Sequence, residues 1–143
     1  MGTSLLNPVM SIALGATIVS VVAIAFGGTF LLRIVTGTEQ ANELQKSLFR
    51  AGHAHAGVLV ILGLLLAVLG NAAGASPAWA DSGAIAVLVA AILMPAGFFL
   101  SVLGRNPARP NRMIMSVWLG ATVLVCGVLV SGVATLIAGI DRL

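Results

Sequence analysis

The sequence predicts an all-α, polytopic membrane protein built as a bundle of four transmembrane helices. Four apolar stretches, Pro8–Leu32, Ala51–Leu69, Ser82–Gly104 and Met113–Ile140, hold only two histidines and no Asp, Glu, Lys or Arg. Each is long enough to cross a hydrocarbon layer of ~30 Å at ~1.5 Å rise per residue. A hydrophobic content of 59% and a mean hydropathy of +1.14 point the same way. The longest polar segment is Thr36–Arg50. The 143 residues therefore make one membrane domain, with no length left for a soluble catalytic unit.

The first span is expected at about 8–33, opened by Asn7-Pro8 and closed near Arg33. Met1–Val9 has no Lys or Arg, and the apolar run outlasts a signal's apolar region, so a retained span is expected rather than a cleaved leader. Gly27-Gly28 near its end marks a close helix contact or a bend. Thr36-Gly37-Thr38-Glu39 has the spacing of a break followed by a capping box, Thr36 lying three residues before Glu39. Ala41, Leu44 and Leu48 then share a face, and no Gly or Pro interrupts the run before Gly52. This predicts a helical extension over about 38–50 leading into a second span at about 51–72.

Loop two, Asn71–Asp81, is turn-like through Gly74, Ser76 and Pro77, with Trp79 suited to a membrane interface. The third span, about 82–104, contains Pro95, which lacks a backbone donor and crowds the Ala91 carbonyl, so a kink is expected there. Met94, Phe98 and Phe99 around it are candidates to line a ligand pocket. The fourth span, about 113–140, carries Gly120, Gly127 and Ala134 at seven-residue spacing, as the second carries Ala56, Gly63 and Gly70. In lipid, helices associate through such small residues, within a bundle or between copies. Cys126, the one cysteine, lies inside the fourth span, which excludes an intrachain disulfide.

Seven basic residues against four acidic ones give a net charge of +3. The cations sit at span ends rather than in a patch, which argues against nucleic acid. Arg33, Lys46 and Arg50 flank loop one, Arg105, Arg109 and Arg112 occupy loop three, and only Arg142 lies on the other side. The positive-inside rule then places loops one and three in the cytoplasm and both termini outside, in a bacterial-type plasma membrane. Arg105, Arg109 and Arg112 are the expected contacts to anionic lipid headgroups. The spans hold no interior Asp, Glu, Lys or Arg, which disfavours an ion-coupled transporter. No nucleophile–base–orienter set exists for hydrolysis.

His53 and His55 are the only histidines and open the second span. Two residues apart on a helix, they point ~200° away from each other, so one ion cannot readily take both. No Cys, Asp or Glu stands at ligand spacing to complete a zinc site. The pair suits cofactor or ligand binding with one imidazole facing the bundle and one facing out. His55, being deeper, is the favoured candidate.

His53-Ala54-His55 resembles the element with which haem-copper oxidases address two haems from one membrane helix. That resemblance implies haem, with the second axial ligand supplied by Met94, Met113, Met115 or another subunit. A second resemblance covers more of the chain. Four spans, an extended second helix and a basic third loop are similar to the MAPEG family of trimeric membrane enzymes. Aligned on the family's Arg-Ala-His-x-Asn-x-x-Glu pattern, Ala54 and His55 match, while His53, Gly57 and Val60 replace the Arg, Asn and Glu. The resemblance implies the architecture and, as an alternative function, a membrane enzyme acting on a lipophilic substrate with glutathione. The residues themselves point to binding rather than catalysis. The leading expectation is an oligomeric or accessory subunit, in a homo-oligomer or a larger membrane complex, that binds a lipid, quinone, haem or another membrane protein.

Overall fold

The computed structural model describes residues 7–143 and forms four long helices: α1 (Pro8–Val35), α2 (Glu43–Ala72), α3 (Pro77–Leu100) and α4 (Met115–Ile140). A 3-10 turn, Arg112–Ile114, leads into α4. All four helices are long and apolar enough to cross a membrane, which makes this a multi-pass membrane protein. Residues 1–6 lie outside the described residues, and with them most of the segment read for a signal's basic start. Four antiparallel spans put loops one and three at one end, called here the basic end, and loop two with the C-terminus at the other.

The helix ends follow local chemistry. Asn7 caps α1 by accepting from the Met10 amide at 2.8 Å, and Pro8 occupies the first turn, where its missing donor costs nothing. Gly37, at φ 78°, adopts the left-handed conformation that stops the helix. The capping box expected at Thr36 and Glu39 is instead formed by Asn42 and Gln45. Thr36 closes α1, its hydroxyl donating back to the Leu32 carbonyl, and Glu39 turns back to pair with Arg33 at 2.7 Å. The extension of α2 beyond the apolar span thus begins at Glu43 rather than near 38. Lys46 donates to Glu43 at 2.9 Å and holds that carboxyl below its ordinary value, with Arg50 adding a smaller pull. Both groups lie toward water.

Asn42 and Gln45 also join the two loops of the basic end. The Asn42 amide donates to Asn106 Oδ1 and the Pro107 carbonyl, both at 2.9 Å. Gln45, which is buried, donates to the carbonyls of Val102 and Gly104 at 3.0 and 3.1 Å. Loop three folds back through Asn111, whose amide N–H reaches the Ser101 carbonyl at 2.7 Å. Its left-handed positions fall at Gly104 and Asn106. A prolyl-rich loop is in this way held in one shape.

The centre of the bundle is α3. Pro77 starts it five residues earlier than the apolar run alone indicates, again with proline in the first turn, and the helix continues through Pro95 without a break. Both α2 and α4 pack closely on it through glycine. A Cβ at Gly120 would lie 2.6 Å from Met94 Cγ, and one at Gly127 would lie 2.8 Å from the Gly83 carbonyl oxygen. Gly63 and Gly70 admit Leu88 and Ala80 in the same manner. Of the small-residue face of α4, expected to serve the bundle or a second copy, Gly120 and Gly127 are covered by α3 of the same chain, while Ala134 stays partly exposed. Ser131, one turn beyond Gly127, is buried in this contact.

By contrast α1 packs along α2 and meets α3 only sparsely. Near its start Met10 and Leu14 are buried with Ala67 and Ala84, and the Asn7 side chain donates to the Asp81 carboxylate at the head of α3. Near its end Ile34 is buried with Phe49 and Val102. Phe49 carries an aromatic stack, edge-on to Phe30 and face to face with Phe99 at centroid distances of 5.4 and 5.3 Å. Besides these two ends, Ile24 packs midway against the cluster of Leu59, Val60, Ala91 and Met94, and around it α1 leaves a groove beside α3.

Candidate functional site

The local geometry starts at Gly52. A Cβ there would lie 2.8 Å from the Phe99 ring and 3.1 Å from Phe98 Cβ, so α2 rests directly on α3 at this point. The residues that follow are thereby distributed to the two sides of the contact, as their ~200° separation requires. His53 turns toward α1 and His55 toward Phe98.

One nitrogen of His55 is engaged by its own helix. Its Nδ1 lies 2.7 Å from the Ala51 carbonyl, which assigns the proton to Nδ1 and leaves Nε2 as an acceptor. The ring leans on Phe98 with centroids 5.1 Å apart. His53 sits over the Gly27-Gly28 pair. Built Cβ atoms at those glycines would stand 3.6 Å from its Nδ1 and 3.5 Å from its Cε1 and Nε2. The two glycines therefore provide the seat for this ring. The His53 ring makes no hydrogen bond to any other described residue.

Beyond His53 the space between α1, α2 and α3 is a groove of about 560 Å³. Its α1 wall is made mostly of small residues, Ala13, Ala16, Thr17, Ser20, Ala23 and Gly27, with Ile24 the one bulky side chain among them. Ile85, Val89, Ile92, Pro95 and Phe99 form the opposite wall on α3. The two hydroxyls on α1 are engaged by their own helix: Thr17 donates to the Ala13 carbonyl and Ser20 to the Thr17 carbonyl, each at 2.7 Å. His53 is thus the one lining residue with an ionisable side chain, placed at the basic end of a long apolar trough.

The residues singled out from sequence do not converge on a single point. His53 and Phe99 line the groove together. His55 and Phe98 form a pair on the other side of the α2–α3 contact. Met94 is buried against Gly120 of α4, and Met113 and Met115 are exposed at the start of α4. Arg105 lines a polar recess of about 800 Å³ with Glu39, Gln45, Lys46 and Asn106 at the basic end, while Arg109 and Arg112 project nearby, all three exposed. Among the described residues no three His, Cys, Asp or Glu side chains gather as a metal site. Sequence reading missed the small-residue face of α1. Its signal was present in the recurrence of 13, 16–17, 20, 23 and 27, which the search for polar chemistry passed over.

Fold and groove together define a small four-helix membrane protein with a lateral apolar site and one imidazole at its mouth. No protein-family model matches the chain, and no curated protein or solved structure matches it.

Proposed function

We propose that the protein is a membrane-embedded binding protein that receives a lipophilic molecule from the bilayer into the groove between α1 and α3. It holds the polar group of that molecule at His53 and acts as an accessory or carrier subunit, alone or in a larger membrane assembly. The observation that carries this reading is the His53 ring, without a hydrogen-bond partner among the described residues, facing an apolar trough whose hydroxyls are engaged by their own helix. A ligand-binding site is of this kind, mostly apolar with few placed polar groups. In lipid, small residues on one helix ordinarily draw a neighbour into contact. Here the small face of α1 stands away from α3, leaving space for a guest. The six-to-one distribution of basic residues supports an orientation with His53 toward the cytoplasmic leaflet and both termini outside.

Ala23→Phe tests the reading, because it fills the groove and leaves the His53 residue itself in place. Wild type and variant are purified from the same cells in mild detergent, and the retained lipophilic molecules are quantified by mass spectrometry after extraction. Wild type should retain one class of molecule in near-stoichiometric amount, and the variant should lose it. Identical retained material in both contradicts the proposal.

A further inference from the structure

We infer that the molecule in the groove is a long hydrocarbon tail bearing an uncharged, flat ring with carbonyl or hydroxyl oxygens, the chemistry of a long-tailed quinone or its quinol. This rests on the binding function proposed above and names its ligand.

The tail follows from length. Ala13 to Gly27 on α1, and Ile85 to Phe99 on α3, are each fourteen steps of ~1.5 Å, about 21 Å of parallel wall. A zigzag of carbon–carbon bonds of ~1.52 Å advances about 1.25 Å per bond, so the trough spans about seventeen bonds, head and tail together. Ala16, Ser20 and Ala23 leave room for a chain along most of this wall, and Ile24 narrows it near the His53 end.

The head follows from chemistry at one end. His53 is the only lining side chain that titrates, and no Lys, Arg, Asp or Glu lines the groove. A phosphate, carboxylate or ammonium placed there would give up its water for one imidazole, a loss of several kcal/mol. An uncharged carbonyl or hydroxyl loses far less and can bond the free ring nitrogen. The surface beside His53 is apolar: Phe99, one face of which is stacked on Phe49, lies against the adjacent Gly52 and lines the groove with the largely buried Pro95. Aromatic faces of this kind receive a flat ring by offset stacking. Polar head and long tail are therefore both oriented, head toward the basic end.

The test uses the full chain in detergent micelles, with decyl-benzoquinone as probe and palmitate and phosphatidylglycerol as competitors. Histidine labelled with nitrogen-15 reports on both rings, and His55→Ala assigns the two signals. Decyl-benzoquinone should bind saturably and shift the His53 ring nitrogens while leaving those of His55 in place. His53→Ala should weaken binding about three- to tenfold, the loss of one hydrogen bond. Ala23→Phe should abolish it with His53 intact. Quinone binding that leaves His53 unmoved, or that survives Ala23→Phe, overturns the inference. Binding of palmitate or phosphatidylglycerol in its place, sensitive to Ala23→Phe, overturns the quinone class but leaves the groove's binding function standing. If no probe responds to Ala23→Phe and the retained lipids are unchanged as well, both readings fail.

Discussion

Replacing Gly127 by Ala probes the contact on which the bundle is built. The new methyl group would lie 2.8 Å from the Gly83 carbonyl oxygen and 3.0 Å from both Ala86 Cβ and Val87 Cγ2. Two of these atoms belong to backbone or to a methyl directly attached to it, so α3 and α4 must part. Overpacking of this order costs about 1–3 kcal/mol. Alanine also gains up to about 1 kcal/mol over glycine in helix propensity, which hides part of that cost. Gly132→Ala isolates it. Gly132 lies five residues further along α4, and a Cβ there meets nothing within 4 Å. The propensity gain is common to both variants, so the difference between them should be about 1–3 kcal/mol, Gly127→Ala being the less stable. Reversible unfolding in mixed micelles, followed by helical circular dichroism, measures it. Equal stability of the two variants would refute the α3–α4 packing described here. The larger Gly127→Leu should break the bundle within one chain, rather than act only on association between copies.

Further expectations concern the ends of the bundle. Single cysteines at Ser76 and Ser47, in a Cys126→Ala background, should label with an impermeant thiol reagent in intact cells at 76 and not at 47. The reverse pattern contradicts the proposed orientation. Gln45→Ala removes two hydrogen bonds to loop three and should cost about 1–3 kcal/mol. It should also speed amide exchange at Asn111, whereas unchanged exchange would deny that the two loops are tied. Because the folded Glu43 carboxyl is lowered by Lys46, its stabilisation is complete above the ordinary carboxylate pKa and is lost as pH falls through the lowered value. Lys46→Met should move the Glu43 carboxyl titration upward in carbon-13 spectra, and an unmoved titration removes the pair from the account.

The four spans were legible because a transmembrane helix must be both long and apolar, and runs such as Met113–Ile140 meet both conditions without help from tertiary contacts. Helix ends were less legible where two signals compete. Thr36 to Glu39 and Asn42 to Gln45 both have capping spacing, and the second prevails because Asn42 and Gln45 also bond carbonyls of loop three, some sixty residues away in sequence. Glu39 is meanwhile drawn off by Arg33. Periodicity alone separated His53 from His55 onto different faces. It could not tell which face had a vacancy, since that depends on where α1 lies. Depth favoured His55, yet in the fold His55 bonds its own helix, while His53 is the ring that opens into the groove. The small residues of α1 acquire meaning only once α3 is seen to stand away from them.

Photo-crosslinking from inside the groove tests the central claim most directly. Benzoylphenylalanine is placed at Ala16, in the groove, and separately at Val19, which is exposed on α1 and absent from the lining. After irradiation in native membranes, the mass added to each purified protein is read. The account predicts one discrete lipophilic adduct at position 16, diminished when Ala23→Phe is introduced, and only a spread of bulk lipids at position 19. The same spread of bulk lipids at both positions, indifferent to Ala23→Phe, would contradict it.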